Sequence, residues 1–176
     1  DLTVTGVQTC ALLISLMISE KIYDVFKEQS RKHGAFGMGY TYGGHPVSCA
    51  VALETLKIYE ERDMIGHVQS VAPHFLERLS ELSDSSIVGE ARGVGLIAAL
   101  ELVSDKSSRA QFSPDAKAAP AIAASALARG LVVRALPGDV IGICPPLIIE
   151  NTQVDELFDK LAAAVTETEA LLRKAA

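Results

Sequence analysis

The chain has 176 residues, a formal net charge of −6 and 49% hydrophobic residues, enough for one domain or for a small domain joined to part of another. Mild acidity with only 5% aromatic residues gives no electrostatic basis for binding nucleic acid or an anionic membrane. The three cysteines, Cys10, Cys49 and Cys144, show neither metal-ligand nor CxxC spacing and read as reduced thiols of a cytoplasmic protein.

The longest apolar run, CALLISLMI at 10–18, is too short to span a bilayer. No Lys or Arg precedes Lys21, so the basic region of a signal peptide is missing. The stretch VTGVQTCALLI at 4–14 resembles a translated sequencing adapter and departs from the common VTGVQTCALPI form at Leu13. Residues 1–15 are therefore set apart as non-native; the other reading is a genuine strand or buried helix.

Ser19 is an N-cap candidate for an amphipathic helix, EKIYDVFKEQSRK, whose Ile22, Val25 and Phe26 share one face. Gly34, Gly37 and Gly39 break it. The stretch GYTYGGHP at 39–46 then opens a second helix, with Pro46 suited to its first turn. Val47, Ala50, Val51, Leu53, Leu56 and Tyr59 carry the helical period. A third helix is expected from about Met64 to Leu82, with Val68, Val71, Phe75, Leu76 and Leu79 inward and Pro73 as a kink or a boundary near its start.

Composition changes at SDSS, 83–86. IVGEARGVGLIAALELV at 87–103 reads as two strands or one bent strand, with glycines marking a turn or bulge. Residues 116–129 form an Ala-rich helix with Pro120 near its true start, closed by Gly130. LVVRAL and VIGIC form a hairpin around Pro137–Asp139. Thr152 with Asp155 resembles a capping box for a last helix, 154–174, with Leu157, Leu161, Val165, Thr168, Leu171 and Leu172 on one face. From Ile87 onward this is an α+β unit; before it lies a helical region with no sheet of its own.

Two features suggest chemistry. A Gly-rich turn at a helix N-terminus offers backbone N–H groups and a positive dipole end to a phosphate, with Thr41 adding a hydroxyl, although such loops are more often plain turns. Arg134 stands in an apolar strand, where a guanidinium needs a carboxylate or phosphate, an outward-facing position, or a pair with Asp139. The four histidines, His33, His45, His67 and His74, lack metal-site spacing. No GxSxG, paired-carboxylate or Cys–His arrangement is present.

Together, LMISEKIYDVF, GYTYGGHPVSCAVALETLKIYEE, GEARGVGLIAALELV and GLVVRALPGDVIGICPPLIIE resemble, in family order, the class III pyridoxal-phosphate-dependent aminotransferases, nearest the ω-amino acid/pyruvate branch. The resemblance runs from about residue 16 to the end. It implies an α/β fold: the C-terminal part of the aspartate-aminotransferase-like PLP-transferase fold. Residues 16–82 would be a remnant of the large cofactor-binding domain and interdomain helices, and 83–176 the small C-terminal α+β domain. It implies a homodimer in which Tyr40 and Thr41 reach the cofactor phosphate of the other subunit. It further implies that Arg134 holds a substrate carboxylate, and that an amino group moves from an amine to a keto acid such as pyruvate. The family's Schiff-base lysine lies just upstream of the segment matching LMISE, where this chain has VTGVQTCALLI and no lysine. The chain alone is therefore expected to be an inactive fragment with no catalytic residue and no metal. The competing reading is a stand-alone α+β binding or dimerisation module.

Overall fold

A computed structural model describes residues 18–34 and 44–175. The adapter-like segment at 1–15, Gly37, Gly39, Tyr40 and Thr41 lie outside the described residues. The chain divides into two units between Arg62 and Asp63.

Among the described residues the first unit carries two helices. Helix α1, Glu20–His33, begins after Ser19, whose side chain makes no capping bond, and has Arg31, Lys32 and His33 in its last turn, where cations suit the helix dipole. It has no buried residue. Helix α2, Pro46–Glu61, has Pro46 in its first turn, as the sequence suggests, and buries only Thr55, whose hydroxyl donates to the Val51 carbonyl at 2.8 Å. The apolar positions that give these helices their period stay open: Val25 is 56% exposed, Val47 64% and Leu53 69%.

The second unit, Asp63–Ala176, contains the core. Helix α3, Met64–Glu81, is capped by Asp63, whose carboxylate accepts from the Gly66 N–H at 3.3 Å. A Cβ at Gly66 would fall 2.2 Å from that carboxylate, so a larger residue there would make the Asp63 side chain shift. Pro73 neither ends nor bounds α3; it sits inside one continuous helix. Tertiary packing outweighs the lost backbone bond, because Val71, Phe75 and Leu79 on either side of it are buried.

Strands β1, Val88–Val94, and β2, Ile97–Leu102, form an antiparallel hairpin with a register shift between Val88 and Glu90, next to Gly89. Helix α4, Ala118–Ala128, follows, with Pro120 in its first turn. Strands β3, Arg134–Leu136, and β4, Val140–Ile143, form the second hairpin, and the sheet order is β1-β2-β4-β3. Helix α5, Asn151–Ala175, closes the unit.

Period-two alternation divides the sheet. Val88, Ala98, Leu100, Leu102, Ile141 and Ile143 are buried against the helices, and Phe75 of α3 meets Phe158 of α5 edge-on with ring centroids 5.1 Å apart. Helix α4 buries Ala118, Ala119, Ile122 and Ala126; its small residues allow close approach to α5. Along α5 the buried stripe is Val154, Phe158, Leu161, Ala164, Val165 and Thr168. Phe158, not expected from the sequence, anchors the helix beside Leu157, which packs partly buried against the core, and Leu171 is 59% exposed rather than inward. The expected Thr152–Asp155 box is also not the cap. The Gln153 side chain accepts from the Glu150 N–H at 3.1 Å, and the helix starts at Asn151 rather than at 154. Asp155 instead accepts from His74 Nε2 of α3 at 2.9 Å.

Candidate functional site

The outer face of the sheet has no helix of this unit upon it. Its β1 and β2 positions are Glu90, Arg92, Val94, Ile97, Ala99 and Glu101; across β4 and β3 lie Gly142, Arg134 and Leu136. At one end Arg92 donates to Glu101 at 2.8 Å and to Glu90 at 3.2 Å, and the Glu101 bond holds its guanidinium above the usual arginine range. Beside this ion pair the face is mostly apolar and hollow. A concavity of about 730 Å³ is lined by Val94, Ile97, Val132, Leu136 and Cys144, with both Arg134 and the carboxylate-paired Arg92 on its wall.

Arg134 is exposed and lies opposite Gly142 in the ladder. The other arginines of the sheet-and-helix layer, Arg78, Arg92, Arg129 and Arg173, each hold a carboxylate. Arg134 has no ion pair among the described residues. The expected alternative, a pair with Asp139, is not formed. Asp139 instead turns its carboxylate to the N-terminus of α4, accepting from the Ala119 N–H at 3.1 Å, while its backbone carbonyl accepts from Leu102 N–H at 3.0 Å. A guanidinium on an apolar wall with no carboxylate of its own is suited to a carboxylate brought by a ligand.

The histidines are placed structurally. His67 Nε2 lies 2.9 Å from the Ile149 carbonyl and His74 bonds Asp155, so both tie α3 to the start of α5. His45 occupies the N-cap position of α2. Among the described residues no group of three or more His, Cys, Asp or Glu is placed to hold a metal ion, and no helix is long and apolar enough to cross a membrane.

This arrangement recurs in solved proteins. One is a transaminase solved with L-ala: 42% identical, TM-score 0.78, covering 88% of this chain and 36% of that one. Another is a thermostable omega transaminase mutant from Pseudomonas jessenii: 36% identical, TM-score 0.78, covering 88% and 34%. The fold is thus that of a part of a transaminase. The class-III aminotransferase family model matches residues 8–165, and the chain belongs to that family. The probable gamma-aminobutyrate transaminase 3, mitochondrial, of Oryza sativa subsp. indica is 44% identical over 155 residues, 88% of this chain and 30% of that protein. The chain thus spans about 30% of the length of the curated relatives it matches.

The cofactor of class III aminotransferases is pyridoxal 5′-phosphate. The described residues do not assemble a site for it by themselves. Every lysine of the chain lies among them, and none is buried. Lys27, Lys32, Lys57 and Lys160 face carboxylates on their own helices, Lys106 donates to the Ser83 and Ser85 carbonyls, and the concavity beside Arg134 contains no lysine.

Proposed function

We propose that these residues form the carboxylate-recognising part of a pyridoxal-phosphate-dependent aminotransferase that moves an amino group from an amine or ω-amino acid to a keto acid such as pyruvate. The observation that carries this reading is Arg134: a guanidinium without an internal partner on the wall of an apolar concavity, in a chain of this family. Arg134 binds the substrate carboxylate by its planar fork, and the apolar wall receives the remainder of the substrate. The longer protein acts as a homodimer, with Tyr40 and Thr41 directed to the cofactor phosphate of the opposite subunit.

The 176 residues alone carry out no transamination, because their lysines sit on the surface and not beside the concavity. Incubation with pyridoxal phosphate, borohydride reduction and intact-mass analysis with peptide mapping tests this directly. The expected result is no stoichiometric adduct. A single adduct on one lysine would overturn the inactivity and make the chain a minimal cofactor-binding protein.

A further inference from the structure

We propose that Asp139 is a positioning residue for Arg134, holding the β3–β4 hairpin at a fixed height against α4. The inference rests on the carboxylate reading of Arg134 given above. Strand β3 is an edge strand of three residues, paired only with β4. So short a ladder on one side leaves the backbone under Arg134 to be fixed from outside the sheet.

The fixing points are the two ends of α4. At its C-terminus Gly130, with φ +76°, lets the chain reverse while Leu131 N–H donates to the Ala126 carbonyl and Gly130 N–H to that of Leu127, both at 2.9 Å. This is the Schellman closure. At the N-terminus, Lys117 holds the N-cap position with φ +48° and makes no side-chain capping bond. The missing acceptor comes from the hairpin: the Asp139 carboxylate takes the Ala119 N–H. Ala119 is fully buried, so water offers no alternative, and the negative charge suits the positive end of the helix. Segment 131–139 is therefore strung between both ends of one helix, with Arg134 inside the span. The Leu102 bond to the Asp139 carbonyl adds a third anchor on β2.

The position also constrains the residue type. Asp139 has φ +53°, and Gly138 before it has φ +82°. Asparagine tolerates that conformation and keeps an acceptor oxygen; glycine tolerates it and has none; alanine meets neither need.

The test uses the full-length holoenzyme, with pyruvate as the carboxylate-bearing substrate and an amine lacking a carboxylate as the reference. Asp139→Ala and Asp139→Gly are expected to raise KM for pyruvate about tenfold, the scale of one mispositioned ionic contact. KM for the reference amine stays unchanged, and Asp139→Asn restores the pyruvate value. If Asp139→Ala fails to fold, Asp139→Gly carries the comparison. Equal losses on both substrates, or no rescue by Asn, would overturn the positioning role. Arg134→Ala separates the two layers. A raised pyruvate KM in Arg134→Ala with an unchanged one in Asp139→Gly removes the role of Asp139 alone. An unchanged pyruvate KM in Arg134→Ala removes the carboxylate reading itself, and the inference with it.

Discussion

The two units are built from similar apolar content and use it differently. In the unit before Asp63, the periodic residues of α1 and α2 stay open, and of the residues of these two helices only Thr55 is buried. In the unit after it, α3, α4 and α5 sink their apolar stripes into one core on the inner face of the sheet. Hydrophobic period therefore makes a helix legible, but it does not say whether that helix is covered. A helix of fourteen or sixteen residues without a covered face is marginal in water, because the nucleation cost is offset chiefly by packing.

The largest expected difference between the units is in hydrogen exchange. Amides of α1 and α2 are expected to exchange through local opening at low free energy, and those of β2, β4 and the centre of α5 through openings that approach global unfolding. Native-state exchange with peptide resolution reads the contrast. Equal protection across 20–61 and 64–172 would mean that the first helices share the core's stability, and the division of the chain would fail.

Next comes a substitution in each unit. Phe158→Ala removes a fully buried ring that packs edge-on against Phe75 and is expected to cost about 3–5 kcal/mol. Leu53→Ser, at a residue 69% exposed, is expected to change stability by no more than about 0.5 kcal/mol. Urea unfolding of the 176-residue chain decides between them. A cost at Leu53 comparable with that at Phe158 would show its face to be covered in solution.

Sequence reasoning went furthest where one residue type has one physical use. Pro46 at a helix start, Gly130 after a helix end and the glycine-marked turn between β1 and β2 all stand where local chemistry puts them. It fell short where a residue serves something distant. Pro73 reads locally as a kink or a boundary, and the boundary is not there: the surrounding Val71, Phe75 and Leu79 carry α3 through it. Asp139 reads as a neighbour for Arg134, yet its partner, Ala119, comes into reach only once the hairpin has folded back over α4. For the site, Arg134 was legible because a guanidinium in an apolar strand is conspicuous. The concavity beside it was not, because it is shared by all four strands, whose order only the fold provides.

Smaller than the loss at Phe158 is an acid response confined to the second unit. Glu169 on α5 accepts from Ser86 at 2.7 Å, from Ser85 at 2.8 Å and from Arg173 at 2.6 Å, fastening the link before β1 to the last helix. The Ser86 hydrogen bond, with Ser85 and Arg173 adding to it against the cost of partial burial, holds this carboxyl below the usual glutamate range. A carboxyl whose folded pKa is depressed adds stability above its unfolded value and loses it as pH falls through the folded one, so the loss begins below about pH 5. Glu169→Ala is expected to cost about 1 kcal/mol at pH 7 through the lost hydrogen bonds from Ser85, Ser86 and Arg173. Glu169→Gln keeps acceptor oxygen but no titrating group, so its stability should fall less than the wild type's between pH 7 and about pH 3.5. Thermal melts of the two proteins across that range make the comparison. Parallel curves would show that Glu169 ionisation is not linked to folding, and would leave the Ser85–Ser86 clasp as a neutral hydrogen-bonded joint.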